Sequence, residues 1–164
     1  MSEALATFFS GIPPALATVL IAMLPIAELR LALPIALTVY DLPFWSAYLL
    51  SLVGNMIPAV ILLYALGPLS HRLSVHSSAM QRFFSWLLAR TRRKSEHHFA
   101  RYGQFLALAT FVAIPLPVTG AWTGSVAAFL FGVSRRVSIP ALVVGVAAAG
   151  IIVGAATVGL QRVF

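Results

Sequence analysis

The chain has 164 residues, of which 60% are hydrophobic and only 9% charged, with a mean hydropathy of +0.97 and a net charge of +7. A soluble domain averages about 25% charged residues, so this chain cannot cover itself with a water-facing surface, which excludes a disordered chain and a soluble enzyme. The lack of any Cys excludes a disulfide-stapled secreted domain, and the length suits one integral membrane domain, residues 1–164, with a few spans.

At the N-terminus, Met1-Ser2-Glu3-Ala4 lacks the basic start of a signal peptide. The chain is expected to insert through its own apolar segments and keep them. Block 13–40 comes first and is broken at its centre by Pro25, Glu28, Arg30 and Pro34. A proline removes a donor and clashes with the preceding turn, and it pushes the residue before it toward extended geometry. An unwound turn is expected here, with arms at 13–24 and 31–40. Residues 4–12 joined to 13–24 would instead be long enough for a full first span.

Block 44–66 reads as a plain transmembrane helix of about 22 residues. Trp45 and Tyr48 stand near its start, where interfacial aromatics are common. Pro58 interrupts it, and Asn55 just before it is a buried amide that needs a partner. The segment 67–103 follows and holds seven of the eleven Lys/Arg: Arg72, Arg82, Arg90, Arg92, Arg93, Lys94 and Arg101. Within it Ser78 and Gln81 have capping-box spacing, and Met80, Phe83, Phe84, Leu87 and Leu88 recur at helical intervals. The expected element is an interfacial amphipathic linker helix against anionic lipid headgroups. It serves either as anchor and topology determinant or in direct substrate recruitment.

Block 104–131 is broken by Pro115-Leu-Pro117-Val-Thr119-Gly120, with arms at 104–114 and 121–131. Block 139–160 is a second plain span. The four arms are 10 to 12 residues long, about 15–18 Å at helical rise and roughly half of a 30 Å hydrocarbon core. Each broken block therefore suits a re-entrant hairpin that dips to mid-bilayer and returns. Non-helical backbone at that depth must lie inside protein or along a wet cavity, so the two turns should meet.

The expected fold is all-α and membrane-integral. Two inverted repeats, each a re-entrant helical hairpin followed by a transmembrane helix, are joined by the basic amphipathic linker. A hairpin does not change sides and a span does, which turns the second unit upside down, a design found in secondary transporters. Nine Lys/Arg then lie on one side, in the linker and at Arg135-Arg136, against Arg162 alone. Four ordinary spans would give eight against two.

Glu28 and Arg30 are the two ionisable side chains in the interior of the apolar blocks. A charge at mid-bilayer costs about 2.5–3.5 kcal/mol on the insertion scale, so both need partners or water. In an extended turn, residues two apart share a face, which would let the pair converge. The pair is either a structural ion pair or a working site, with Glu28 the proton carrier and Arg30 an anion clasp. Pro115, Pro117, Thr119 and Gly120 offer freed carbonyls, amides and a hydroxyl. The arm that begins at Ala121-Trp122 has a helix N-terminus that attracts anions. Trp122 is a pocket wall or a packing residue, and Asn55 a packing amide or a site donor. Gly120/Gly124 and Gly150/Gly154 match the small-xxx-small pattern, which serves packing within the protomer or, for Gly150/Gly154, a homodimer seam.

No metal, cofactor or nucleic-acid partner is expected. His71 and His76 are five apart, off the ligand spacing of a helix, and His97-His98 are adjacent. The basic charge accompanies no nucleic-acid module. A Walker loop is absent, so the chain carries no ATP motor. Paired intramembrane aspartates are absent too, and no His lies near an intramembrane Ser, so no enzyme is expected.

Leu24-Pro-Ile-Ala-Glu-Leu-Arg30 with Pro34-Ile-Ala, then Gly54-Asn55-Met-Ile-Pro58, Arg101-Tyr-Gly103 and Phe111-Val-Ala-Ile-Pro-Leu-Pro-Val-Thr-Gly-Ala-Trp-Thr-Gly124 resemble the small multidrug export family of prokaryotic inner-membrane proteins. That family is in turn similar to the DedA-like superfamily. The resemblance covers roughly 24–132 and implies a multi-pass inner-membrane protein with two facing re-entrant hairpins. DedA-like relatives are linked to moving lipids such as undecaprenyl phosphate, whereas the second hairpin here is uncharged. The expected function is a small proton-coupled transporter for an amphipathic or anionic small molecule. A flippase or scramblase for a phosphate-headed lipid is the alternative, and a non-transporting membrane scaffold the third.

Overall fold

Proline sets the first boundaries. In the computed structural model, which describes residues 11–76, 98–115 and 119–163, helix α1 (Pro14–Met23) opens on Pro14. Proline suits a first turn because the missing N–H has no intrahelical partner there. The helix ends where Leu24 turns extended ahead of Pro25. A short turn, Leu24–Ala27, leads directly into α2 (Glu28–Thr38), and the two helices lie against each other. The second arm therefore starts three residues earlier than the expected 31–40. Glu28 and Arg30 belong to its first turn, not to an extended strand of backbone. Glu28 enters the helix at a left-handed φ of 47°, a conformation uncommon outside glycine.

Helix α3 (Phe44–His76) and helix α6 (Arg135–Val163) are the long ones. Their apolar stretches, Phe44–Pro68 and Arg135–Gln161, are long enough to cross a bilayer, with mean hydropathies of 2.1 and 2.4. Both helices outrun the expected 44–66 and 139–160. Those limits mark where the apolar residues stop, and a helix need not end there because water can satisfy its backbone beyond. Pro58 sits inside α3 without breaking it. Helix α4 (His98–Ala113) begins in what was expected to be linker, and α5 (Ala121–Leu130) follows the Pro-rich turn. The amphipathic helix expected around 78–93 and residue Pro117 lie outside the described residues. Among the described residues there are six helices and no strand.

α1 packs on α3 and α4 packs on α6, while α2 reaches α6 and α5 reaches α3. The two halves of the chain thus interlock through their shorter helices. The closest approaches use glycine. A methyl on Gly54 of α3 would meet the Val19 carbonyl of α1 at 2.5 Å, and one on Gly145 of α6 would meet the Ala109 carbonyl of α4 at 2.7 Å. The main core joins both halves, with Leu29, Leu33, Met56, Leu108, Val112 and Leu142 among its members.

Outward, α3 presents Leu49, Val53, Ile57 and Ile61, four apart and therefore on one stripe. The opposite face buries Ala47, Ser51, Asn55 and Ala59. An outer face this apolar with polar residues turned inward is stable in lipid and not in water. The Gly150/Gly154 stripe, expected as packing or a dimer seam, is covered inside the protomer. Tyr48 closes over Gly150 and Phe44 over Gly154, both rings lying where a Cβ would go.

Candidate functional site

The site forms where α2 and α5 begin. Glu28, first residue of α2, is 7% exposed, and its carboxylate lies directly over Gly120, the N-cap of α5. A methyl on Gly120 would overlap both carboxylate oxygens. With the Cβ absent, Glu28 reaches the free amides that open α5: the Trp122 N–H donates to Oε1 at 3.4 Å, and the Ala121 N–H faces the same group. A helix N-terminus carries unsatisfied N–H groups and the positive end of the helix dipole. The buried carboxylate thus has an electrostatic partner, drawn from 94 residues away.

Arg30 takes a different partner. Its Nη2 donates to the Thr119 hydroxyl at 3.2 Å, and that hydroxyl donates to the Ile114 carbonyl. Arg30 is half-buried, at the rim. Glu28 and Arg30 line one cavity, from a helical first turn and not the expected extended one, and each binds the other half of the chain. They feel one another's charge across the gap. The Gly120 N–H donates to the Thr123 hydroxyl at 2.9 Å. That caps the first orphan donor of α5 and leaves the next amides to Glu28.

Behind them lies a cavity of about 10 Å³ lined by Glu28, Arg30, Asn55, Gly120 and Ala121 together with Val112 and Val146. That is room for about one water. Asn55 on α3 is 3% exposed, and its Oδ1 has no hydrogen-bond partner. The Trp122 indole Nε1 is likewise buried without one. Ser125, one turn into α5, has two carbonyls within reach of its single hydroxyl hydrogen, Ala121 at 2.7 Å in its own helix and Ala59 of α3 at 3.0 Å. Donated to Ala59, that hydrogen ties α5 to α3.

Of the expected site residues, Glu28, Arg30, Asn55, Thr119, Gly120 and Trp122 come together. Trp122 takes part through its backbone. Pro115 faces outward beyond the end of α4 and does not line the cavity. Sequence reasoning named the helix start at Ala121-Trp122 but missed Thr123 and Ser125. Only Thr123 carried a signal, standing three residues after an N-cap in capping-box spacing. Among the described residues no three His, Asp or Glu gather as a metal ligand set.

The sequence model of one family, described as "Putative small multi-drug export protein", matches residues 28–152. The chain belongs to that family. The match runs from the site's carboxylate, across Asn55 and the second turn, into α6. No curated protein and no solved structure matches the chain. Membership of the small multidrug export family, with two apolar helices of spanning length, points to a membrane protein of the export type.

Proposed function

We propose that this small multidrug export protein is a proton-coupled transporter of an amphipathic or anionic small molecule, acting as a single multi-pass domain of the inner membrane. In this reading α1–α2 and α4–α5 are re-entrant hairpins, and each unit with its long helix is one inverted repeat. Three features support the repeat. Three of the four arms, α1, α2 and α5, have 10, 11 and 10 residues, about 15 Å at helical rise, while α4 has 16 and not the expected 11. The glycine approaches are matched, since Gly54 and Gly145 each stand ten positions after the first residue of their long helix, Phe44 and Arg135. The interlock is reciprocal, α2 on α6 and α5 on α3.

One observation carries the transport reading: a buried carboxylate seated at the N-terminus of α5 and bonded by the Trp122 amide, with a guanidinium beside it, where the two turns meet. An acid in that position can take and release a proton while the surrounding helices keep water out. Glu28 is the proton carrier and Arg30 the clasp for the anionic part of the substrate. In proteoliposomes, Glu28→Gln should reduce pH-gradient-driven flux to the leak rate of empty vesicles. Flux equal to wild type would remove Glu28 from proton carriage.

Arg30 supports a second reading. It sits half-buried at the rim, beside a cavity with room for only about one water, so a substrate tail would lie outside in lipid. That geometry suits a flippase or scramblase of a phosphate-headed lipid. Arg30→Ala should then reduce lipid-phosphate transfer more than flux of a cationic dye, and the reverse order favours drug export. Flux at the empty-vesicle leak rate for the wild type and both variants, with lowered thermal stability in the variants, would leave a membrane scaffold.

A further inference from the structure

We infer that the amides opening α5 are the substrate's anion site, and that the Glu28 carboxylate is its resident competitor: a monocarboxylate enters only as Glu28 takes up a proton and leaves. The inference rests on the transport reading and specifies its coupling as one proton carried with each anion.

The site holds one carboxylate and no more. Glu28 covers Gly120 and uses the Ala121 and Trp122 amides, and the adjoining cavity, about 10 Å³, has room for about one water. A second carboxylate cannot share those amides with the first, because two like charges in one desolvated site repel. The surroundings nevertheless suit an incoming anion. Arg30 supplies a positive charge at the rim, fixed by Thr119. Asn55, 3% exposed, turns a carboxamide into the cavity with its Oδ1 unpartnered. That oxygen is an acceptor, so it suits the neutral Glu28 acid, which can donate to it once displaced from the α5 amides. Bound to Arg30 and the α5 amides, an incoming carboxylate would have donors on two sides.

The titration that controls the exchange belongs to Glu28. Among the described residues, Arg30 is the one charged group that faces it. α1 carries no titratable side chain. α4 and α6 bring Val112, Val146 and Ala149 to the cavity, and α3 brings Asn55. Tyr48 of α3 gives its hydroxyl hydrogen to the Ala147 carbonyl and does not line the cavity. The exchange is balanced: a proton from solvent joins the Glu28 carboxylate, the neutral acid swings off the α5 amides, and the anion takes them. No net charge enters the membrane interior. Protonation therefore makes the site available, and the apparent affinity scales with the fraction of chains in which Glu28 is neutral.

The test measures benzoate binding to the purified full chain in detergent by titration calorimetry, from about pH 8 to about pH 6, where benzoate stays ionised. Repeating it in buffers of different ionisation enthalpy reads proton uptake. Wild type should bind up to about tenfold more tightly per unit fall in pH, taking up close to one proton per benzoate at the upper end. Glu28→Gln should bind at least as tightly as wild type at high pH, with a flat profile and no proton uptake. Asn55→Leu should weaken binding while leaving proton uptake intact. A wild-type affinity that does not change with pH overturns the inference, as does weaker binding by Glu28→Gln. The wild-type profile needs no variant to fold, and it needs no gradient. Pronounced proton-linked binding with no flux in vesicles would therefore sustain this site while removing the transport reading.

Discussion

Glycine at position 120 is the smallest residue of the site and sets its geometry. A methyl there would occupy the space of the Glu28 carboxylate, so Gly120→Ala should push Glu28 off the α5 amides. We expect flux driven by a pH gradient to fall by about tenfold or more, equivalent to about 1.4 kcal/mol of barrier. Thermal unfolding in detergent should register a loss of about 1–3 kcal/mol from overpacking. Glu28 itself holds a left-handed φ, which costs on the order of 1–3 kcal/mol and persists where the surroundings over-determine it. Here the over-determination comes from Gly120 and Trp122. Part of this was legible beforehand. A lone acid and a lone base in an apolar run are expensive enough to mark themselves as groups that need partners. The amides of Ala121 and Trp122 were legible as a helix N-terminus that attracts anions, but their occupation by Glu28 was not, because a backbone donor has no side-chain signature. Nor was the helical start at Glu28, since neighbouring prolines suggest extended geometry equally well.

At the scale of elements, the two glycine crossings offer a direct comparison. Gly54→Ala and Gly145→Ala each place a Cβ against a neighbouring helix's carbonyl, and each should destabilise the protein by about 1–3 kcal/mol. Gly103→Ala and Gly159→Ala meet nothing within 4 Å. They should be neutral or stabilising by up to about 1 kcal/mol, the helix-propensity gain of Ala. Unfolding in detergent, compared across the four variants, checks both expectations. Unequal effects at Gly54 and Gly145 would argue against equivalent roles in two repeats. Element existence was legible because the apolar blocks and the proline breaks are long-period features. Element ends were less so: α3 runs on to His76 and α6 starts at Arg135, since hydropathy records where lipid stops and helix capping records where helix stops. Pro58 illustrates the same limit. It removes the N–H that would bond the Gly54 carbonyl, yet packing of α1 and α5 along α3 keeps the helix continuous.

For the whole molecule, the decisive expectation concerns sidedness. With two re-entrant hairpins and two spans, both termini lie opposite the basic linker, so a reporter fused after Phe164 should respond on the outer side of the inner membrane. A cytoplasmic response would mean four spans and would end the inverted-repeat reading. The lipid-facing stripe along α3 and the inward polar face hold in either case, because they depend on which residues each helix buries and not on its direction. Composition alone made that environment legible, since a chain with 9% charge can face only lipid over most of its area. How the two halves interlock was not legible, because contacts between α2 and α6 or α5 and α3 leave no mark on local periodicity.

The long sequence separation within the site bears on how the protein is made. Glu28 leaves the ribosome 94 residues before Trp122, an interval of about 5–20 s at cellular elongation rates. Throughout it the acid has no amide seat, and the insertion machinery must shelter it or pass it onward in neutral form. Biogenesis of this chain should accordingly stall or misdirect when synthesis is cut short between the two halves, and a truncated first half should be degraded unless its second is supplied in trans.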